Sequence, residues 1–580
     1  MRWTSRRARL AALAIPIAVF AIKFRYVGSG DTVPAELLPI RILEHGTLTF
    51  PAPASARPPY WFHPGPHGLV SSYPILPGLV NVPAYAAARA AGIGLETHER
   101  FLSHVTAALC SVLSVFFVYL VLERLLRTPS RALGFALLYA FGTEVWSMAS
   151  RGLFQHGPAL MFLSAGLYAL LRDDARTDLA AGGLLCLAVL TRSTSALLVA
   201  PLVVWAARAA PRRLFALAAG AAVPALLHAA YAWRYWGSPF SLAQPVTAAG
   251  FSGNAPEGLS GLLVSPSRGL FVFSPVFLFA IPAAVRAFRR SAGPHAPLVR
   301  ALVVGTLLTV GLYSRWSNWW GGHSFGYRLL AELALPLTIL IAWDWDRIRT
   351  SRPACALFVV TAAISVAIHG LGSAEYPSRF NDDIDREPER LWDVRDSELA
   401  MCARKALHLR VPAAEDALAP WLRPVAAPSA AWWSFERDAP DILAALDAPA
   451  GGIVRGPLAV LGWAQPSPGD AGEVLVSLAP GDRRFRPARF PRPDVAAMFP
   501  HLGDASEAGF GLRLEPPARL EARTVLLEVR DRAGRVTRRG PVSLLWGPAR
   551  RGVHEDLPLE HAAPAVPAHD RHLQAVPAGR

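Results

Sequence analysis

Charge is scarce in this chain. Asp, Glu, Lys and Arg make up 17% of its 580 residues, against roughly 25% in a soluble domain. Lysine is almost absent, with Lys23 and Lys405 the only two. There are four cysteines: Cys110, Cys186 and Cys355 lie inside apolar runs and Cys402 stands apart. That pattern excludes a disulfide framework and zinc-site spacing. No G-x-x-x-x-G-K-[ST] loop and no G-x-G-x-x-G following a strand occurs, so the usual phosphate cradles for ATP or a dinucleotide are missing. No sizeable cytoplasmic domain offers a place for a nucleotide sugar.

What the chain has is hydrophobicity, at 52% of residues. Phe101–Leu122, Leu214–Tyr231, Leu298–Tyr313 and Ala354–Ile368 meet or approach the ~20 apolar residues needed to cross a bilayer core. The net charge of +15 is unevenly placed. Residues 1–371 hold 31 basic and 14 acidic side chains, and residues 372–580 hold 27 and 29. The excess belongs to the apolar part, where it marks topology; a nucleic-acid groove would be a patch on a soluble fold. Nucleic acid is therefore not an expected partner.

Arg2, Arg6, Arg7 and Arg9 place the N-terminus in the cytoplasm. The run that follows them resembles a signal peptide but reads as an uncleaved first span, because Lys23, Phe24, Arg25 and Tyr26 occupy the cleavage region. Five later connections are basic: Arg124/Arg127/Arg131, Arg172/Arg176, Arg208/Arg212/Arg213, Arg286/Arg289/Arg290 and Arg347/Arg349/Arg352. The intervening connections are aromatic and rich in Gly, Pro, Ser and His. The expected fold is mainly α: a polytopic transmembrane bundle of about eleven spans over 1–371. Two interfacial helices in the first outer loop belong to it, one over ELLPIRILEHG and one over the proline-broken SSYPILPGLVNVPAYAAARAAG. An extracytoplasmic connection follows over 372–450. Period-two alternation in IVRGPLAVLGWA, EVLVSL and TVLLEVRDRAGRVT predicts a small all-β sandwich over 451–550. The Ala/Pro/His-rich segment 551–580 is expected to be disordered.

Polar groups at membrane depth are expensive and tend to be functional. Asp31 is the one aspartate of residues 1–371 outside the predicted cytoplasmic connections. Glu36 follows in the same loop, and Glu144 sits at the outer end of the third span. Arg151, His156, Arg192, Arg268, Arg315, His323 and Arg328 lie at the same level. A carboxylate facing several cations suits transfer from a lipid-linked phosphate. The cations hold phosphate through forked donors, and the carboxylate takes a proton from an attacking hydroxyl. Asp is also a favoured residue at a helix N-cap, a role compatible with the catalytic one, which is the leading reading for Asp31.

The segments GSGDTVPAELLP, YWFHPGPHGLVSSYPILPGLVNVPAY, ERFLSHVTAALCSVLSVFFVYLVLERLL, SRGLFQHGPAL, LAVLTRSTSALLVAPL, YWGSPF, SPSRGLFVFSPV and WWGGHSFGYRLLAELALPL resemble those of the glycosyltransferase C superfamily. The likeness covers roughly residues 1–345. It is closest in plan to the protein O-mannosyltransferase and lipid A aminoarabinose transferase branch. The resemblance implies a polyprenyl-phosphate-linked sugar as donor, and a lipid, glycan or protein acceptor. It implies Asp31 as catalytic base, with Glu144 as a second acid. Thr32 departs from the D-E pair of many relatives, and a divalent metal stays open. The C-terminal part resembles β-sandwich modules of bacterial cell-surface and glycan-related proteins. The implied setting is a bacterial inner membrane. The rival classes are a lipid or glycan transporter, and a non-catalytic scaffold presenting the β-domain.

Overall fold

The computed structural model describes residues 4–21, 26–51, 59–172, 174–241, 248–289, 293, 295–376, 380–384, 387–410, 442–448, 452–455, 457–466, 473–479, 483–490, 509–519, 521–530 and 536–548. The expected tail 551–580 lies outside them, as does most of the connection beyond 410. The chain divides into two compact units. The first is mainly helical and holds most of the described residues from 4 to 410.

The first unit begins with α1 (Ser5–Ala21) and α2 (Val33–His45), followed by a hairpin of β1 (Phe62–Gly65) and β2 (Gly68–Ser71). Then come α3 (Leu76–Ala90), α4 (Leu95–Leu126), α5 (Pro129–Phe141), α6 (His156–Leu170), α7 (Ala175–Thr191), α8 (Ala196–Ala209) and α9 (Arg213–Trp236). The series continues through α10 (Ala255–Val264), α11 (Leu270–Phe273), α12 (Ala280–Ala287), α13 (Ala296–Ser314), α14 (Ala334–Trp343), α15 (Trp345–Thr350) and α16 (Arg352–Glu375). Two further helices, α17 (Phe380–Asp383) and α18 (Glu398–Arg410), extend the unit.

Four of these helices are long and apolar enough to cross a membrane: His98–Leu126 within α4, α9, α13 and α16. That is fewer than about eleven. At 1.5 Å per residue, α5, α6 and α7 fall short of a bilayer core. A π-helical turn at Val145–Ala149 and the turn at Arg192 interrupt longer apolar stretches. α3 forms over the proline-containing segment: Pro77 sits in its first turn, where no N–H is missed, and Pro83 lies inside the helix.

Most of the helices share one apolar core running from Ala8 and Phe20 through Val115, Tyr139, Leu163, Phe277, Leu330 and Ile341, while α2 and α3 pack in smaller clusters around Leu38, Ile40 and Tyr85. At the α7–α9 crossing the backbones touch. A Cβ on Gly182 or Gly220 would strike the carbonyl of Leu217 or Leu179 on the opposing helix. The outer flank of α9 stays apolar and open, with Phe215 80% and Leu226 69% exposed. α16 is similar, with Leu357 and Val359 exposed. Apolar faces this large and uncovered suit lipid better than water.

The second unit holds a four-stranded and a five-stranded sheet. Its strands are β3 (Ile442–Ala448), β4 (Gly452–Arg455), β5 (Leu458–Pro466), β6 (Glu473–Ala479), β7 (Arg483–Phe485), β8 (Ala488–Phe490), β9 (Gly509–Leu514), β10 (Glu521–Arg530) and β11 (Val536–Gly547). The orders are β3-β5-β9-β8 and β4-β11-β10-β6-β7. Among the described strands only the β4–β11 pair is parallel. Alternate residues from both sheets form one cluster: Leu458 and Val460, Val474 and Val476, Phe510 and Leu512, Val525 and Leu527. Period two thus puts one face of each strand inward.

Candidate active site

The site is built on a short turn between α1 and α2. Ser29 and Thr32 close it: the Thr32 hydroxyl donates to the Ser29 carbonyl at 2.9 Å, and the Asp31 N–H donates to the Ser29 hydroxyl at 3.2 Å. Gly30 is required there, because a Cβ would run into Tyr60 and Trp61. Thr32, not Asp31, is the residue at the N-cap of α2, and no side chain caps that helix. The Asp31 carboxylate is thereby released from the capping role and points elsewhere.

Three groups converge on it. Tyr73 donates to Asp31 Oδ1 at 2.5 Å and Tyr60 to the same oxygen at 3.3 Å. Arg328 forms an ion pair with Oδ2. The two tyrosines come from the open end of the β1–β2 hairpin. Phe62 pairs with Ser71, and the Ser72 N–H donates to the Trp61 carbonyl. One step further along the same register sets Tyr60 opposite Tyr73. Arg328 opens a 3-10 turn, Arg328–Leu333, and its guanidinium stacks over Phe154 at 4.8 Å.

The charge balance follows from this geometry. Burial pushes the Asp31 carboxyl up, but Arg328 and the Tyr73 hydroxyl outweigh it and hold the group below its usual range. Arg328 responds in the opposite sense. Burial lowers it, Asp31 raises it, and the net is upward. Tyr73 is pushed up by burial and by the adjacent carboxylate, so its hydroxyl stays a donor. The lone pairs can be counted. Oδ1 already accepts twice, whereas Oδ2 holds Arg328 alone and has room for one more donor. Arg328 Nε has no acceptor among the described residues. The pair therefore combines a carboxylate oxygen with room for a further donor and a guanidinium whose buried Nε–H is left without a partner among the described residues.

The other expected residues fall into three places. Arg315 is exposed at the end of α13, and its side chain makes no hydrogen bond or ion pair among the described residues. His323 is half-buried, and its carbonyl accepts from Arg328 at 3.4 Å. Both belong to the segment that ends at Arg328.

A second group is buried behind the 3-10 turn. Glu332 sits one turn after Arg328, with His156 Nδ1 at 2.8 Å and Arg192 Nε at 3.2 Å. Arg192 also donates to the Tyr313 hydroxyl at 2.5 Å. Arg192 and His156 thus find a protein carboxylate as partner, so neither is open to a phosphate as it stands. Sequence reasoning missed Glu332. The available signal was an acid inside the apolar run RLLAELALPL, where an unpaired charge is costly.

The third group holds loops together. Arg268 is 1% exposed and every N–H of its guanidinium has an acceptor. Nε donates to the Trp320 carbonyl at 2.8 Å; Nη1 donates to Ser267 at 2.8 Å and to Glu398 at 2.7 Å; Nη2 reaches Gly322 and Asn381. Arg268 is therefore saturated, with nothing left for a ligand. Glu398 in turn accepts the Gly326 N–H at 2.8 Å. Burial pushes its carboxyl up to about 7, against the pull of Arg268. Arg151 lies against the end of α1, donating to the Phe20 carbonyl at 3.4 Å. Glu36 is buried and accepts from Tyr26. Glu144 is fully buried beside Gly326, and neither carboxylate oxygen has a well-formed hydrogen bond among the described residues. Among the described residues no hydrogen bond or ion pair joins Glu144 to the Asp31 group.

Among the described residues no cluster of three His, Cys, Asp or Glu side chains is arranged to hold a metal ion. No protein-family model matches the chain, and no curated protein matches it in sequence.

Proposed function

We propose that the protein is an integral membrane glycosyltransferase of the glycosyltransferase C kind. It moves a sugar from a polyprenyl-phosphate donor to an acceptor hydroxyl or amine at the outer face of a bacterial inner membrane. The observation that carries this reading is the Asp31–Arg328 pair, a carboxylate with one open acceptor position beside a cation with an unused donor. The four membrane-length helices and the exposed apolar flanks of α9 and α16 support the setting. In this reading the shorter helices complete a bundle of about eleven spans. The N-terminus is cytoplasmic, and the two-sheet unit is an extracytoplasmic β-sandwich.

The reaction runs in one displacement. The acceptor O–H docks on Asp31 Oδ2, and its oxygen attacks the anomeric carbon from the face opposite the phosphate. As that bond forms, the bond from the anomeric carbon to the phosphate oxygen breaks, with its electron pair staying on the phosphate. The proton passes to Asp31, and the configuration inverts. Arg328 has two tasks. Without donor it neutralises Asp31. When the donor phosphate arrives it competes for the same guanidinium, and Asp31 becomes a better base as its counter-charge is drawn away. Arg315 and His323, on the same outer segment, widen the field for an anion.

The test is sugar transfer by purified protein from a panel of radiolabelled polyprenyl-phosphate sugars, comparing wild type with Asp31→Asn. Transfer by wild type alone supports the reading. Transfer by neither protein, with both folded, removes it in favour of transport or scaffolding.

A further inference from the structure

One buried polar chain takes no part in the scheme above. His369 lies on α16 and is fully buried. Its Nδ1 meets the Ser147 hydroxyl at 2.8 Å and its Nε2 meets the Ser274 hydroxyl at 2.8 Å. Ser274 also contacts the Gly142 carbonyl at 2.9 Å and the Tyr327 hydroxyl at 2.8 Å.

Proton counting fixes the direction of every bond. The Gly142 carbonyl can only accept, so the single Ser274 proton goes there. Ser274 must then accept twice, once from Tyr327 and once from His369 Nε2–H. His369 therefore carries its proton on Nε2, and Nδ1 accepts from Ser147. Each hydroxyl proton is used once and both ring nitrogens are satisfied, as a buried network requires.

The chain ends where the candidate site begins, because Tyr327 precedes Arg328. The segment 320–328 has little stiffness of its own. Gly321, Gly322 and Gly326 all adopt positive φ, at 75°, 65° and 68°, a region L-residues rarely enter. Its position is imposed from outside, by Arg268 on the Trp320 and Gly322 carbonyls and by Glu398 on the Gly326 N–H. α16 supplies the remaining anchors. Phe325 seats on Gly372, one turn from His369, and the rings of Phe325 and Tyr327 both lie edge-on to the imidazole.

We propose that His369 is a positioning residue for Arg328: it orients Ser274, Ser274 holds Tyr327, and Tyr327 sets the adjoining arginine against Asp31. The consequence for transfer rests on the glycosyltransferase reading; the consequence for the loop does not.

Three variants separate this role from general packing. His369→Gln places an amide at the level of Nε2 and keeps a donor for Ser274. His369→Asn places its amide at the level of Nδ1 and loses that donor. Tyr327→Phe keeps the ring and deletes only the link. Hydrogen–deuterium exchange of the amides of residues 321–327 is read first, in detergent, beside a thermal melt. His369→Asn and Tyr327→Phe are expected to speed exchange in this segment at least tenfold, with His369→Gln close to wild type. The double variant of His369→Asn and Tyr327→Phe is expected to match the worse single one, since both break the same chain. In the transfer assay the same two variants raise donor KM more than they lower kcat. Unchanged exchange in both, or equal losses in His369→Gln and His369→Asn, overturns the proposal. Because exchange needs no substrate, failure of the transferase reading leaves this result standing.

Discussion

Arg328 and Asp31 lie 297 positions apart and share an ion pair within the helical unit. Each is only partly exposed, at 11% and 16% of its side chain. The pairing ties the first turn after α1 to the 3-10 segment before α14, and it determines what the carboxylate can do.

The Tyr73 hydroxyl should tune that carboxylate. Tyr73→Phe removes the 2.5 Å donor to Oδ1, so the Asp31 carboxyl rises toward its ordinary range. The acid limb of the kcat/KM profile, which reports free enzyme, moves to higher pH. Tyr60→Phe moves it less, because Tyr60 is 3.3 Å away and 64% exposed. A full pH–rate profile of each variant checks the order.

Asp31 also links stability to pH. Its folded-state carboxyl is held below the unfolded value by Arg328. The stabilisation is therefore present above the unfolded value and is lost as pH falls through the lowered folded one. The melting temperature should drop on acidification in wild type, and drop less in Asp31→Asn. Melts taken across the acid range test the sign.

Arg328→Lys keeps the charge but loses the fork that spans Asp31 and a phosphate. Transfer should fall roughly a hundredfold in kcat/KM, a loss of ~2.7 kcal/mol in transition-state binding. Steady-state kinetics over a donor series measures it.

Glu332 is expected to matter for folding first. It is the shared partner of the buried Arg192 guanidinium and the His156 imidazole. Glu332→Gln leaves Arg192 buried without a counter-charge, which costs about 3–5 kcal/mol. Thermal melting in detergent should show a large loss, greater than for Arg315→Ala on the exposed end of α13.

Gly372→Ala is a stringent check on the loop seat. A Cβ there collides with the Phe325 ring, and overpacking of this kind costs about 1–3 kcal/mol. The ring must move, and Arg328 moves with it. Donor KM should rise while Gly311→Ala on α13, where a Cβ meets nothing within 4 Å, stays neutral.

Sequence alone singled out Asp31, because elimination left no other outer aspartate among residues 1–371. Its partners were harder to see. Tyr60 and Tyr73 are equidistant from the centre of the GPHG turn, but that symmetry has meaning only once the strands pair. Glu332 was hidden because an apolar run reads as a span and conceals the acid within it. Arg192 and Arg268 looked like phosphate ligands because spacing gives depth but not neighbours. Glu332 and Glu398 complete them from residues 140 and 130 positions away. Four of the described helices have membrane length, and shorter ones stop at connections the sequence also marks, at Val145–Ala149 and at Arg192. The strands were clear, since alternation with period two is a local property that their pairing preserves.

The most direct test of the account is radiolabelled sugar transfer from polyprenyl-phosphate donors by purified wild type and Asp31→Asn, each shown to be folded by its melt. The account predicts transfer by wild type with inverted anomeric configuration, and a loss of at least a thousandfold in Asp31→Asn. Equal transfer by both proteins would contradict the assignment of Asp31 as base. Transfer by neither would contradict the assignment of the reaction.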